Sequence, residues 1–261
     1  MLYFVFLFVS FVASVVGSVC GIGGGVIIKP VLDSIGVMDV GTISFLSGCT
    51  VFSMSAYSVV SGKISGDSRV ELRRGFPLAA GAAAGGLMGK WMFSYVSSLS
   101  ADQNRVGAVQ AVCLLAVTAG TLVYTVYKKK IKTYQIQNAF VCMLIGLSLG
   151  VVSSFLGIGG GPMNLVVLFF FFSMSTREAA EHSLYVIFFS QAASLASYAA
   201  TGSIPDFSAE LLILMAGGAF GGGILGKVLN QRLEEKVVDL LFTGLLVVMI
   251  LLNIYNIIKF I

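Results

Sequence analysis

The stretches GIGGGVIIKP (residues 21–30) and GIGGGPMNLV (residues 157–166) each follow a long apolar run and each hold four glycines within five positions. A glycine in a helix interior costs about 1 kcal/mol relative to alanine, so each cluster predicts an interrupted helix. The same interruption occurs twice, about half the length of the 261-residue chain apart.

The composition is typical of an integral membrane protein. Hydrophobic residues make up 57% of the chain and charged residues 11%, whereas a soluble domain carries roughly 25% charged residues. Residues 2–19 lack the basic segment of a signal peptide, so we expect them to form a first transmembrane helix. The sequence predicts a multi-pass protein of the cell membrane that contacts the lipid bilayer and has no nucleic-acid partner.

The chain also shows an internal duplication. A shift of 136 residues superimposes the two GIGGG segments, and a shift of 137 superimposes GGLMGK (85–90) on GGILGK (222–227). Matched motifs at a near-constant offset indicate repeated structural units. We predict a first repeat at 1–127, a basic linker at 128–132 and a second repeat at 133–261.

The expected fold is all-α, with eight transmembrane helices arranged as two homologous four-helix halves. Each half adds a half-helix or re-entrant segment after its glycine break, at residues 26–32 and 162–173. Four crossings per half make the halves parallel, and a short segment that also crosses makes them inverted. The spans are predicted at residues 2–20, 42–61, 75–96, 106–127, 136–156, 183–201, 208–229 and 236–258.

Small residues line one face of the third and seventh predicted spans, in GAAAGGLMG (81–89) and GGAFGGGILG (217–226). Small residues four positions apart let helix backbones approach closely in lipid. We interpret these faces as packing surfaces within the bundle.

Positive charge predicts the orientation. Loop 62–74 holds four Lys and Arg residues, and KKKIK fills the linker at 128–132. Loops rich in Lys and Arg stay on the cytoplasmic side. With eight spans, both termini share that side, and we expect both to be cytoplasmic.

The glycine breaks themselves predict an anion-binding site. An interrupted helix leaves N–H groups unpaired, which is tolerated at membrane depth only inside protein or beside a cavity. The helix that resumes points its positive dipole end at the gap, and matched breaks in a duplicated membrane protein indicate a transporter's substrate site. The alternative is that the glycines only permit close helix crossing. The candidate substrate-binding residues are Gly21, Gly23, Gly24, Gly25, Gly157, Gly159, Gly160, Gly161, Asn164, Ser153, Lys29 and Gln191.

Four ionisable residues each have two interpretations. Lys29 lies in an apolar stretch, so it either serves the substrate or extends to the membrane interface. Lys90 and Lys227 match under the duplication and either form a cationic funnel for anions or snorkel to the interface. His182 either couples proton movement to transport or is an interfacial loop residue.

Other chemistries lack their motifs. A dinucleotide-binding fingerprint would need glycine at Val26 and Pro162, and neither break has a βαβ context. The chain holds one His and no zinc-binding spacing, so we expect no metal site and no cofactor. An intramembrane enzyme would need a buried nucleophile with its base, and no such set is visible. We therefore expect a protein that is not an enzyme, with a structural membrane protein as the alternative to a transporter.

The segment GIGGGVIIKPVL (21–32) resembles the GxGGGxxxxPxL pattern of the sulfite exporter TauE/SafE family. The resemblance covers the whole chain, since the family is itself a tandem duplication of about this length. It implies a permease for sulfite, an organosulfonate or a related small anion. From the duplication itself we expect the substrate site between the halves and alternating access, in which one half rocks against the other. The second half departs from the pattern, because Val166 stands opposite Pro30 and a proline comes early, at Pro162. The anion, the direction of transport and the oligomeric state stay open.

Overall fold

The computed structural model describes residues 2–66, 68–99 and 103–260, in which all the regular secondary structure is helical and no strand occurs. A single 3-10 turn, Lys128–Lys130, follows the fifth helix. All eight predicted spans and both predicted short segments coincide with helices. The ten α-helices of the described ranges are α1 Leu2–Cys20, α2 Gly25–Ile35, α3 Val40–Ser65, α4 Leu72–Leu99, α5 Gln103–Tyr127, α6 Ala139–Phe155, α7 Pro162–Phe172, α8 Thr176–Thr201, α9 Ala209–Arg232 and α10 Glu235–Phe260.

Local signals set the ends of the two central helices, α3 and α8. The carboxylate of Asp39 caps the first turn of α3, and Ser175 forms a capping box with Glu178 at the start of α8. Both helices have 26 residues, and each ends at a glycine with left-handed backbone, Gly66 (φ 69°) and Gly202 (φ 61°). The two helices therefore start and stop at positions that are 136 residues apart.

Six helical segments of the described chain are long and apolar enough to cross a membrane, which makes this an integral membrane protein. The helix α4 is longer than most of them, but its glycine- and alanine-rich sequence is less hydrophobic, and α6 has only 17 residues. The helices are therefore not eight equivalent spans. The six segments are Tyr3–Cys20, Val40–Ser65, Asn104–Tyr127, Thr176–Thr201, Ala209–Arg232 and Glu235–Phe260.

Each glycine break turns the chain back on itself. Phe6, near the start of α1, and Leu32, near the end of α2, lie in one buried cluster with Ile43 at the start of α3. In the second half, the N–H of Tyr134, which precedes α6, donates to the carbonyl of Phe170 near the end of α7 (2.8 Å). The short helices α2 and α7 are therefore re-entrant, and each returns the chain to the end of the bundle from which it came.

Once each re-entrant hairpin is set aside, three helices in each half carry the chain from one end to the other. They are α3, α4 and α5 in the first half and α8, α9 and α10 in the second. Three is an odd number, so α6 begins at the end of the bundle opposite to α1, and corresponding helices run in opposite directions. The expectation of four crossings per half, which would make the halves parallel, is wrong, and the arrangement is inverted. Packing partners are exchanged accordingly, since α1 packs on α9 and α6 packs on α4. The division into homologous repeats stays a prediction.

The two ends of the bundle differ in charge. The described loops at one end, here called the terminal end, hold two aspartates and no Lys or Arg, whereas those at the other, the basic end, hold Arg69 and the four lysines of 128–132. The terminal end holds the start of α1, residues 36–39 and 203–208, and the end of α10, where the Lys259 ammonium donates to the carbonyl of Ser34 (2.9 Å). The basic end holds residues 68–71, 128–138, 173–175 and 233–234, where the backbone N–H of Arg69 donates to Glu181 (2.7 Å).

The expectation that the basic loops and both termini share one side is therefore wrong. Because each half crosses three times, the linker at 128–132 lies opposite the start of α1, and the described chain returns to the terminal end along α10.

Glycine faces hold the outer helices together, as the sequence predicts. A Cβ on Gly85 of α4 would lie 2.1 Å from the carbonyl oxygen of Leu147 in α6, and one on Gly146 would lie 2.0 Å from that of Leu78. On the other side of the bundle, a Cβ on Gly222 would lie 2.5 Å from the carbonyl oxygen of Phe11. Only glycine permits backbones to come this close.

Candidate functional site

The two glycine breaks meet at the centre of the molecule. A Cβ on Gly25 would lie 2.0 Å from the carbonyl oxygen of Ile158, and a Cβ on Gly160 would lie 3.4 Å from that of Ile22. Val51 of α3 and Ile187 of α8 both pack against this contact. The structure therefore brings together the two segments that the sequence singles out.

The N–H groups at both breaks stay unpaired. Within the residues that the structure describes, no hydrogen bond involves the N–H groups of residues 23–26 or 159–161. The positive φ of Gly23 (76°) and Gly159 (69°) turns the chain sharply at each break, which only glycine adopts readily. The helices α2 and α7 start directly after these turns, so two helix N-termini lie beside the central contact.

The two breaks are not identical. Proline stands at the first position of α7, Pro162, and lacks an N–H group. The matching position in the first break is Val26, whose N–H is present and unpaired. The first break therefore offers one more donor than the second.

Two clefts flank the central contact. The basic cleft, on the side of the basic end, has a volume of about 230 Å³. The terminal cleft, on the side of the terminal end, has a volume of about 10 Å³, enough for roughly one water molecule. Of these two clefts, the basic cleft is open and the terminal cleft is nearly closed.

Matching residues line the two clefts. The shift of 136 residues that aligns the glycine breaks, or 137 in the case of α4 and α9, carries seven lining positions of one cleft onto lining positions of the other. The clefts are therefore corresponding features of the two halves. In the order basic cleft then terminal cleft, the pairs are Ser18 and Ser154, Ser58 and Ser194, Val59 and Leu195, Gly62 and Tyr198, Ala180 and Ser44, Leu184 and Gly48, Asn230 and Phe93.

Of the predicted substrate-binding residues, only two line the terminal cleft and none lines the basic cleft. Gln191 lines the terminal cleft, and its amide oxygen faces Gly48 of α3. Gly157 also lines that cleft. Asn164 and Ser153 are buried, line neither cleft, and the Ser153 hydroxyl has no partner among the described residues. Only part of the predicted set thus faces a cavity.

Lys29 is buried rather than extended to the interface. Its ammonium lies 3.1 Å from the carboxylate of Asp33, one helical turn further along α2, and both side chains are almost completely buried. The snorkelling alternative is therefore wrong for this residue. Its charge is balanced within α2, and it lines neither cleft.

His182 fastens a loop to α8. Its Nδ1 lies 2.9 Å from the carbonyl oxygen of Glu178, and its Nε2 accepts from the backbone N–H of Glu71 (3.3 Å). Both ring nitrogens take part in hydrogen bonds, and the side chain is buried. The residue lies within α8, so it is not in a loop. A role in proton coupling stays a prediction.

Lys90 and Lys227 lie beside the two clefts. Lys90 is 7% exposed, and its ammonium lies 3.3 Å from the centroid of the Tyr198 ring. Lys227 lines the basic cleft and donates to the hydroxyl of Ser61 (2.9 Å). Neither ammonium has a carboxylate within 4.0 Å in the part of the chain that the structure describes.

Known proteins resemble this chain along nearly its whole length. The family model of the sulfite exporter TauE/SafE family matches residues 6–252. This chain belongs to the TauE/SafE family. A curated relative, the probable membrane transporter protein YunE of Bacillus subtilis (strain 168), is 22% identical in an alignment 273 residues long that covers 95% of each chain. No solved structure matches the chain.

Sequence reasoning missed several residues of this TauE/SafE protein that line its clefts. Ser58 and Ser194 correspond under the shift of 136, yet each looks like an ordinary hydroxyl within a span. Tyr198 and Gly62 also occupy matching positions, although Tyr198 has a large aromatic side chain and Gly62 has none. Applying the shift of 136 to every polar residue would have found the serine pair, but only the crossing of α3 and α8 shows which faces line a cavity.

Proposed function

We propose that this TauE/SafE protein is a secondary transporter of a small sulfur-containing anion such as sulfite or an organosulfonate. It acts as a permease by alternating access and not as an enzyme. Membership of a transporter family supports the transport role. The observation that carries the choice of an anion is the pair of opposed glycine breaks with unpaired N–H groups.

The breaks suit an anion for two reasons. Unpaired N–H groups at membrane depth are costly, so a ligand that accepts hydrogen bonds from them stabilises the fold locally. The two helix N-termini at the breaks also place partial positive charge at the same point. A sulfite or sulfonate group offers three oxygens as acceptors, which allows it to bind donors from both breaks together.

The paired clefts support alternating access. The basic cleft opens toward one end of the bundle, and the terminal cleft, which Gly157 of the second break lines, lies toward the other. In a transporter built of inverted halves, exchanging the conformations of the two halves closes one cleft and opens the other. The present structure then represents the state that is open at the basic end.

The distribution of charge supports an orientation in the cell membrane. Eleven of the 16 Lys and Arg residues of the chain lie in the loops of the basic end or in the helix turns that adjoin them. The positive-inside rule then places the basic end in the cytoplasm. The start of α1 and the end of α10 then face the outside, and the open cleft faces the cytoplasm.

Uptake into proteoliposomes tests the proposal. Purified protein is reconstituted and exposed to labelled sulfite, sulfate, thiosulfate and short sulfonates, with and without a pH gradient or membrane potential. We expect saturable movement of at least one of these anions, above that in protein-free liposomes. Movement of none of them under any gradient would contradict the proposed function.

A further inference from the structure

A buried lysine without an anionic partner lies beside the terminal cleft. Lys90 is 7% exposed, has no carboxylate within 4.0 Å among the described residues, and makes no hydrogen bond there. Burying an unpaired ammonium is strongly unfavourable. Lys29 shows the usual solution in this molecule, since a carboxylate 3.1 Å away balances its charge.

The face of an aromatic ring takes the place of that carboxylate. The ammonium of Lys90 lies 3.3 Å from the centroid of the Tyr198 ring and 5.3 Å from that of Phe93. A cation–π contact compensates a buried charge only in part. Lys90 is therefore held by a weaker partner than an oxyanion would be.

The surroundings of Lys90 suit an oxyanion. Tyr198 and Phe93, the two rings that contact Lys90, both line the terminal cleft together with Ser44, Ser154, Ser194 and Gln191. The Ser44 hydroxyl has no hydrogen-bond partner in the described chain. Hydroxyl and amide donors beside a lysine form the set that binds sulfite or sulfonate oxygens.

The corresponding position at the other end lacks the ring. Under the shifts that align the halves, Lys227 matches Lys90 and Gly62 matches Tyr198. The ammonium of Lys227 therefore has no ring at that position, and it lines the open basic cleft beside Ser61. One lysine is covered and the other uncovered.

Other aromatic rings hold Tyr198 in place. Its ring packs edge-on against Phe45 of α3, with centroids 5.0 Å apart, and Phe45 packs in turn against Phe207. The Tyr198 ring, which covers Lys90, thus links the end of α8 to the start of α3 and, through Phe45, to the loop before α9. Because Lys90 belongs to α4 and Tyr198 to α8, moving α8 relative to α4 would uncover the lysine.

We propose that Lys90 is a recognition site for the oxyanion group of the substrate at the terminal cleft and that the ring of Tyr198 is its gate. The ring occupies the ammonium while the cleft is closed, and the anion replaces the ring when the cleft opens. Lys227 binds the same group at the basic cleft without a gate. This inference rests on the proposed transport function and deepens it.

Anion binding to purified protein tests this inference, with ethanesulfonate and sulfite as probes in isothermal titration and in proteoliposome transport. Lys90→Met is expected to weaken binding, and to raise KM, about tenfold or more. Tyr198→Leu removes the competing ring and is expected to strengthen binding about threefold to tenfold. Tyr198→Phe keeps the ring and should bind as the unaltered protein does. In the double variant, Lys90→Met should abolish the gain from Tyr198→Leu.

The outcomes separate this inference from the proposed function. Unaltered protein that transports and binds one of the probes, together with a folded Lys90→Met variant of unchanged affinity, would overturn the inference and leave the transport role standing. Absence of probe binding by the unaltered protein would overturn the inference as well. A Tyr198→Leu variant that melts at the normal temperature but binds more weakly would overturn the role of the ring as a gate. Thermal melting of each variant in detergent establishes that it is folded.

Discussion

Gly85→Ala is expected to destabilise the folded protein by about 3 kcal/mol, at the upper end of the usual cost of overpacking. The new Cβ would lie 2.1 Å from the carbonyl oxygen of Leu147 and 2.8 Å from the N–H nitrogen of Val151. Both are backbone atoms, so α4 and α6 can relieve the clash only by moving apart. That movement also separates Gly81, Gly89 and Gly146 from the backbones that they contact. Thermal unfolding in detergent, followed by circular dichroism, measures the effect.

Gly217→Ala is the matched control for this prediction. Gly217 lies in α9, within the same kind of small-residue segment, but a Cβ there would meet nothing within 4 Å. It is expected to melt at the temperature of the unaltered protein or slightly above, since alanine favours helix. Equal melting temperatures for Gly85→Ala and Gly217→Ala would show that the glycine face of α4 is not a tight contact.

Val26→Pro is expected to raise KM for the transported anion about tenfold or more relative to Val26→Ala. Proline removes one unpaired N–H group at the first glycine break, and a hydrogen bond to a charged group contributes about 1.5–3 kcal/mol. The chain already tolerates proline at the corresponding position, since α7 starts at Pro162. Gly25, which precedes Val26, has no Cβ to clash with the new ring. Initial rates of anion uptake in proteoliposomes measure KM.

The comparison with Val26→Ala isolates the N–H group, because both variants lose the buried valine side chain and only one loses the donor. The reciprocal change, Pro162→Ala, adds a donor at the second break and is expected to lower KM severalfold. If Val26→Pro and Val26→Ala fold equally well and share one KM, the N–H groups of the first break do not bind the substrate.

Local features of the fold could be predicted from the sequence because they depend on near neighbours. Apolar runs of membrane-spanning length predicted the long helices, and the glycine clusters predicted the two breaks. The small-residue faces of α4 and α9 gave their close packing, because the spacing of Gly81, Gly85 and Gly89 fixes which side of a helix is flat.

Features that depend on where the chain goes next could not be predicted in this way. Hydropathy does not distinguish a re-entrant helix such as α2 from one that crosses, so the inverted arrangement and the side of the termini were not determined. The partner of Lys29 is Asp33, on the same helix, but neither the burial of that pair nor its distance from both clefts appears in the sequence. The covering of Lys90 by Tyr198 joins residues that are far apart in the chain and depends on how α4 and α8 pack.

Reciprocal accessibility of the two clefts tests the central claim most directly. Val59 lines the basic cleft and Leu195 occupies the matching position in the terminal cleft. Each is replaced by cysteine, one at a time, in a protein whose four native cysteines (Cys20, Cys49, Cys113 and Cys142) are changed to alanine. Labelling by a hydrophilic maleimide is then timed in detergent, with and without ethanesulfonate, which does not react with maleimides. Thermal melting confirms that both variants are folded.

We expect Val59→Cys to label at least tenfold faster than Leu195→Cys in the absence of anion, because the basic cleft has room for the reagent and the terminal cleft does not. Ethanesulfonate is expected to change the two rates in opposite directions, slowing the first and speeding the second as the halves exchange conformations. Equal labelling rates without anion, or rates that rise or fall together when it is added, would contradict transport through two alternating clefts.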